Sequence, residues 1–114
     1  MKHIKPLLPS LRERKRYVVF EILGSAISQT LAVRTIVKAA RHFMGELGLA
    51  GAGLIFIKDK YKNNRGIVRV NHRFVDPLRA ALSLIKEVEG KPVIVRSLGT
   101  SGILKKAAMK YMEG

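Results

Sequence analysis

Apolar and polar positions change their spacing several times along this chain, and each change predicts an element. The first stretch is punctuated by proline and rich in cations. It reads as an arm over about residues 1–16, with Leu7, Leu8 and Leu11 as anchors and Arg12, Arg14, Lys15 and Arg16 in water. Residues 17–23, Tyr-Val-Val-Phe-Glu-Ile-Leu, are β-branched and aromatic and stop at Gly24, which predicts a strand. Ser28 is placed to cap a helix in which Val33, Ile36, Val37, Ala40, Phe43, Met44 and Leu47 recur at helical spacing. Arg34, Lys38 and Arg41 fall on another face of it. Gly48, Gly51 and Gly53 are expected to break this helix and lead into a second strand over 54–58. A polar stretch holds Asn63-Asn64, a hairpin turn, and residues 66–70 return as a third strand. Asp76-Pro77 marks a helix start, with Asp76 as cap and Pro77 in the first turn. Leu78, Ala81, Leu82 and Ile85 form its apolar stripe, and Gly90 is expected to end it. Residues 92–96 predict a fourth strand broken by Gly99. Thr100 or Ser101 then caps a last helix whose apolar side is Ile103, Leu104, Ala107, Ala108 and Tyr111.

The order is strand, helix, strand, strand, helix, strand, with an extra C-terminal helix. One α+β domain spanning 1–114 satisfies it: an RRM-like (ferredoxin-like) βαββαβ sandwich with a four-stranded antiparallel sheet under helices. Many unrelated activities use this topology, so it does not decide function. Strand alternation sends Val18, Phe20, Ile22, Val68 and Val70 toward the helices. Tyr17, Val19, Glu21, Ile67 and Arg69 face away, joined by Ile55 and Ile57.

Composition narrows the picture. Hydrophobic residues make up 47% of the 114 positions, enough for a folded core. Lys and Arg number 22 against 8 acidic residues, a formal charge of +14, which self-repels in a compact state and calls for a counter-charge. Nucleic acid is the first candidate and an anionic membrane surface the second. No apolar run approaches the roughly 20 residues of a spanning helix, so no membrane partner is expected. The first residues do not lead into a signal-peptide core. Cysteine is absent, which removes disulfides, thiolate zinc sites and cysteine nucleophiles. A soluble cytoplasmic protein is expected.

Enzyme chemistry finds little footing. His3, His42 and His72 are scattered without metal-ligand spacing. Glu87 and Glu89 are expected where a surface helix ends, a poor setting for an acid–base pair. Gly51-Ala52-Gly53 lacks the strand before and helix after that a phosphate-cradling loop needs. Neither a catalytic residue nor a metal or cofactor site is assigned to the protein. Binding signals are stronger. The cluster Arg12, Arg14, Lys15 and Arg16 suits phosphates. In the loop, Tyr61 among Lys60, Lys62 and Arg65 suits a stacked base with phosphates beside it. Ser101, with Lys105 and Lys106 beyond it, opens a helix whose first amides suit a phosphate. Arg69 adds a cation on the outward sheet face. An RNA-recognition motif stacks bases on aromatics in a pattern like K/R-G-F/Y-G/A-F-V-x-F/Y. Here Arg65-Gly66-Ile67-Val68-Arg69-Val70 begins that way and then offers aliphatics. Val19, Ile55, Ile57 and Ile67 therefore predict a face covered by terminal segments or by a protein partner, not by bases.

Three blocks carry a resemblance. Leu8-Pro9-Ser10-Leu11-Arg12-Glu13-Arg14-Lys15-Arg16-Tyr17-Val18-Val19-Phe20-Glu21-Ile22 resembles the start of the protein component 2 family of archaeal ribonuclease P. Gly66-Ile67-Val68-Arg69-Val70-Asn71-His72-Arg73-Phe74-Val75-Asp76 resembles its middle block. Arg96-Ser97-Leu98-Gly99-Thr100-Ser101-Gly102-Ile103-Leu104-Lys105-Lys106 resembles its closing block, with Ile103 a departure where a small hydroxyl residue would follow Ser-Gly. The resemblance implies an RRM-like fold in a ribonucleoprotein that removes the 5′ leader of precursor tRNA. The chain would not be an enzyme in isolation but a subunit of an endoribonuclease. Its RNA would be catalytic, with Mg²⁺ accompanying that RNA. The implied partners are the ribonuclease P RNA, protein component 3 and, indirectly, precursor tRNA, with a homodimer at the centre of a heterotetramer. Two other readings stay open: a ribosomal or chaperone-like protein that binds structured RNA, and a ferredoxin-like domain that binds a small anionic metabolite.

Overall fold

The computed structural model describes residues 14–112. Leu7, Leu8, Leu11 and Arg12 lie outside the described residues.

The central strand β1 (Lys15–Leu23) pairs antiparallel with β3 (Arg65–Asn71) on one side and β6 (Ile94–Ser101) on the other. The short β2 (Ile55–Phe56) adds to the far edge of β3, giving the order β2-β3-β1-β6. α1 (Gln29–Ala52) and α2 (Val75–Ser83) cover one face. A two-stranded hairpin, β4 (Glu87–Val88) and β5 (Lys91–Pro92), links α2 to β6. The chain then closes on α3 (Leu104–Ala107), which runs on as a π-helix over Ala108–Met112. This is the α+β sandwich expected from the order of elements.

Alternation places the core as predicted. Val18, Phe20, Ile22, Val68 and Val70 lie under the helices against Ile36, Leu78, Leu82 and Ile85. Each fully buried side chain of this size contributes about 1.5–3 kcal/mol. The Asn63-Asn64 turn holds too: both residues have positive φ, 53° and 63°, the handedness a tight hairpin needs. Asn64 adds a second role. Its side chain donates to the carbonyls of Ile22 (3.1 Å) and Ser25 and accepts from the Ile27 amide (3.0 Å), which pins the β1–α1 connection.

Several boundaries differ from expectation. Ser28 does cap α1, its Oγ accepting from the Leu31 amide at 3.3 Å. The helix, however, continues through Gly48 and Gly51. Its non-helical residue is Gly45 (φ 79°, ψ 172°), and Gly53 ends it in the left-handed conformation. Its buried stripe is Ala32, Ile36, Ala40 and Ala52, while Phe43 and Leu47 are 48% and 91% exposed. The expected strand over 54–58 shrinks to Ile55–Phe56, because a 3-10 turn begins at Lys58. A 3-10 turn over His72–Phe74 shifts the start of α2 upstream. Asp76 therefore lies inside the first turn, facing Arg79 at 3.9 Å, and is not the cap. α2 ends at Ser83. Gly90 (φ 81°), with Glu89 (φ 50°), belongs to the β4–β5 turn, so Glu87 and Glu89 sit on a hairpin and not at a helix end.

Candidate nucleic-acid interface

The outward sheet face is closed by the chain itself. Ala107 of α3 is fully buried on Val19 and Ile67, with Tyr17, Ile57, Leu98, Leu104, Ala108, Tyr111 and Met112 around them. A bulge in β6 makes this fit. Val19 pairs with Gly99 but Phe20 pairs with Ser97, so Leu98 is an extra residue. Leu98 joins the cluster under α3. Ser97 looks toward α2, where its Oγ accepts from Arg79 Nε at 3.1 Å. Gly99 therefore does not break the strand; it lies within β6 and receives the Tyr111 ring.

A polar strap locks the end of the cover. Arg65 Nη1 donates to the Tyr111 carbonyl at 3.1 Å, and Arg65 Nε donates to Glu21 Oε2 at 3.3 Å. Glu21, itself 9% exposed, accepts from Arg96 Nε at 2.9 Å through its other oxygen. One buried carboxylate thus faces two guanidiniums, a charge-assisted arrangement that satisfies both its oxygens.

The cover also carries cations. Lys105, Lys106 and Lys110 are exposed on it. At its start, Arg16 reaches toward Gly102, and Arg16 Nη1 donates to the Lys15 carbonyl at 3.0 Å. At its far end, Ala108 and Met112 share a depression with Asp59, Lys60, Tyr61, Lys62 and Asn63 of the hairpin loop. The helix therefore runs from beside Arg16 to the hairpin loop, Leu104–Met112 being roughly 13 Å long at 1.5 Å per residue. Arg16 at its start, Lys105, Lys106 and Lys110 on it, and Lys60 and Lys62 at its far end form one basic band.

The structure divides the sequence-predicted polar residues into two groups. Arg14, Lys60, Lys62, Lys105 and Lys106 are exposed. Lys15, Arg16, Arg65, Arg69 and Ser101 are half-buried. Lys15 Nζ donates to Asn71 Oδ1, and Arg65 belongs to the strap. Arg69 Nε is buried without a hydrogen-bond partner among the described residues. Ser101 does not cap a helix: Ile103 stands at that position, and Ser101 Oγ accepts from the Ile103 amide at 3.1 Å. The four-residue α3 is too short to offer a helix-terminal phosphate site, and Ile103 is 52% exposed, off its apolar side.

Tyr61 requires a correction. Its ring is half-buried and its hydroxyl engaged, so it does not stand free in solvent among the lysines. Its hydroxyl donates to the Ile27 carbonyl at 2.6 Å, its ring lies 6.5 Å from that of Phe20, and burial raises its pKa. The expected partner-facing residues also move. Val19 and Ile67 are 0% and 1% exposed and belong to the core beneath α3, and Ile57 packs against them. Ile55 alone of the four remains half exposed, at 50%.

Lys110 and Arg96 were missed by sequence reasoning. Lys110 stands one helical turn after Lys106, a spacing that was available to read. Arg96 has no such signal, since only the β1–β6 register brings it to Glu21. Among the described residues no group of three or more His, Asp or Glu comes together as a metal site. His72 serves the arm: its Nδ1 accepts from the Arg14 amide at 3.3 Å, and its own amide donates to the Arg14 carbonyl at 2.7 Å. No helix among the described residues is long and apolar enough to cross a membrane.

A ferredoxin-like sandwich whose sheet is covered by a helix with exposed lysines defines a basic α+β protein with surface for a polyanion. Residues 16–112 match the Rpp14/Pop5 family, and the chain belongs to that family. It is similar to ribonuclease P protein component 2 of Pyrococcus abyssi, 38% identical over 110 residues, covering 96% of this chain and 93% of that protein. The corresponding protein of Methanocaldococcus jannaschii is 37% identical over 112 residues, covering 96% and 81%. A chain in the cryo-EM structure of yeast ribonuclease MRP shares the fold, with a TM-score of 0.65 at 20% identity over 80% of this chain and 76% of that one.

Proposed function

We infer that this chain is an RNA-binding protein subunit of the ribonuclease P ribonucleoprotein. The observation that carries the reading is the family match, which runs from the basic arm to the end of the cationic helix. The geometry supports the same role, because the sheet that an RNA-recognition motif would use for stacking is packed with aliphatic side chains under that helix. Cations on this cover lower the repulsion between RNA segments brought close together. In this reading the RNA cleaves the 5′ leader from precursor tRNA in the cytoplasm, and Mg²⁺ belongs to the RNA. The protein pairs with component 3, as a homodimer at the centre of a heterotetramer, and meets precursor tRNA only indirectly.

Reconstitution tests this. Adding the chain with component 3 to ribonuclease P RNA at limiting Mg²⁺ should raise precursor-tRNA cleavage. No gain over RNA alone would overturn the reading.

A further inference from the structure

On the helical side of the sheet, away from the cationic cover, α1 and the segment after α2 enclose an open groove of about 640 Å³. Its floor includes Ala39 and the nearly buried Ile85, and Leu84, 54% exposed, forms a wall. Phe43, one helical turn beyond Ala39, is 48% exposed, and Leu47, past the Gly45 interruption, is 91% exposed. The rim is charged: Lys38 and Lys86 stand beside Glu87, while Arg41 Nε pairs with Glu46 at 3.1 Å.

We propose that this groove docks an acidic amphipathic helix of a protein partner. Exposed large apolar side chains beside a groove mark an interaction surface. The stretch of α1 from Thr35 to His42 is two turns long, about 10 Å at 1.5 Å per residue, and matches anchors at i, i+3 or i+4, and i+7 on an incoming helix. Carboxylates flanking those anchors complement Lys38 and Lys86 and steer the encounter. A second copy of this chain is a poor occupant, because each copy carries +14 and would bring the same cations to the same rim. A phosphate backbone is a poor occupant as well, since it leaves Leu84, Phe43 and Leu47 in water.

The test uses the full chain, isotope-labelled, at ~150 mM salt to suppress general charge attraction. The probe is a helical peptide of about 18 residues with Leu at i, i+4 and i+7 and Glu on its remaining faces, beside a scrambled peptide of identical composition. The ordered peptide should bind about tenfold more tightly and shift amides around Lys38, Leu84 and Lys86. Leu84→Asp and Phe43→Asp should each abolish that preference while leaving the urea midpoint in place. Equal affinity for both peptides, or a preference that survives both substitutions, overturns the proposal. So does an RNA hairpin that shifts the same amides at the same salt, or a self-association that Leu84→Asp dissolves.

Discussion

The ring of Tyr111 lies on the bare Cα of Gly99, so close that any side chain at position 99 would overlap it. This contact sets the height at which the C-terminal helix rests on the sheet. Gly99→Ala should therefore destabilise the protein by about 1–3 kcal/mol through overpacking. Tyr111→Ala removes the obstacle, so the double variant should lose less than the sum of the two singles. Urea unfolding of the four proteins measures the difference, and strict additivity would show that the two positions act separately.

Glu21 ties β1 to Arg65 and Arg96 at once, and Arg65 continues to the Tyr111 carbonyl. Glu21→Gln keeps the shape and removes the charge. A loss of about 1.5–3 kcal/mol is expected, the range for hydrogen bonds to charged groups. The C-terminal amides should also exchange faster with solvent. Unchanged stability would mean that the two arginines find equal partners elsewhere.

The band of cations predicts an additive salt effect. Replacing Lys105, Lys106 and Lys110 with Ala should reduce the slope of log affinity against log salt for ribonuclease P RNA by up to about 3 units. Replacing Arg12, Arg14, Lys15 and Arg16 should reduce it by up to about 4. If the helix lysines leave the slope unchanged, the cover does not touch phosphate.

Tyr61 links stability to alkaline pH. Burial raises its hydroxyl above the ordinary 10.0, so the unfolded chain gives up that proton first as pH rises. The contribution is fully present below about pH 10 and is lost as pH climbs through the folded-state value. Tyr61→Phe removes this linkage along with the 2.6 Å bond to Ile27. It should cost about 0.5–1.5 kcal/mol at neutral pH. Its stability should also fall less steeply above pH 10, as chemical denaturation across that range would register.

What the sequence made legible follows from period. Strand alternation separated Val18, Phe20 and Ile22 from Val19 and Glu21, and it predicted that the second face would be covered. The stripe Leu78, Ala81, Leu82 and Ile85 was equally plain, because a short amphipathic helix has one solution. Glycine was the misleading signal. Gly51 sits inside α1 with the Phe74 ring against it, whereas the interruption falls at Gly45, and neighbouring residues do not tell these apart. Tyr61 misled for a related reason. An aromatic among lysines reads as exposed until the hairpin folds back and brings the Ile27 carbonyl to its hydroxyl. Of the site, the cations were legible and their alignment was not. The band exists because the C-terminal helix lies over Val19 and Ile67 between Arg16 and the hairpin loop, a tertiary fact. The partner-facing assignment of Val19 and Ile67 failed because the cover came from the chain itself.

The sheet order has a consequence for how the chain is made. β1 is central, yet one of its two neighbours, β6, is the last strand. During synthesis, residues 15–71 supply β1, α1, β2 and β3, and this half-sheet waits with one side of β1 unpaired. Its exposed amides and carbonyls form a template for stray strands until residues 94–101 emerge to occupy it. The pairing of β1 with β6 spans most of the chain and so carries a large loop-closure cost, which makes it a slow step. The C-terminal helix and its lysines can settle only afterwards, so the cationic cover marks a chain that has finished folding.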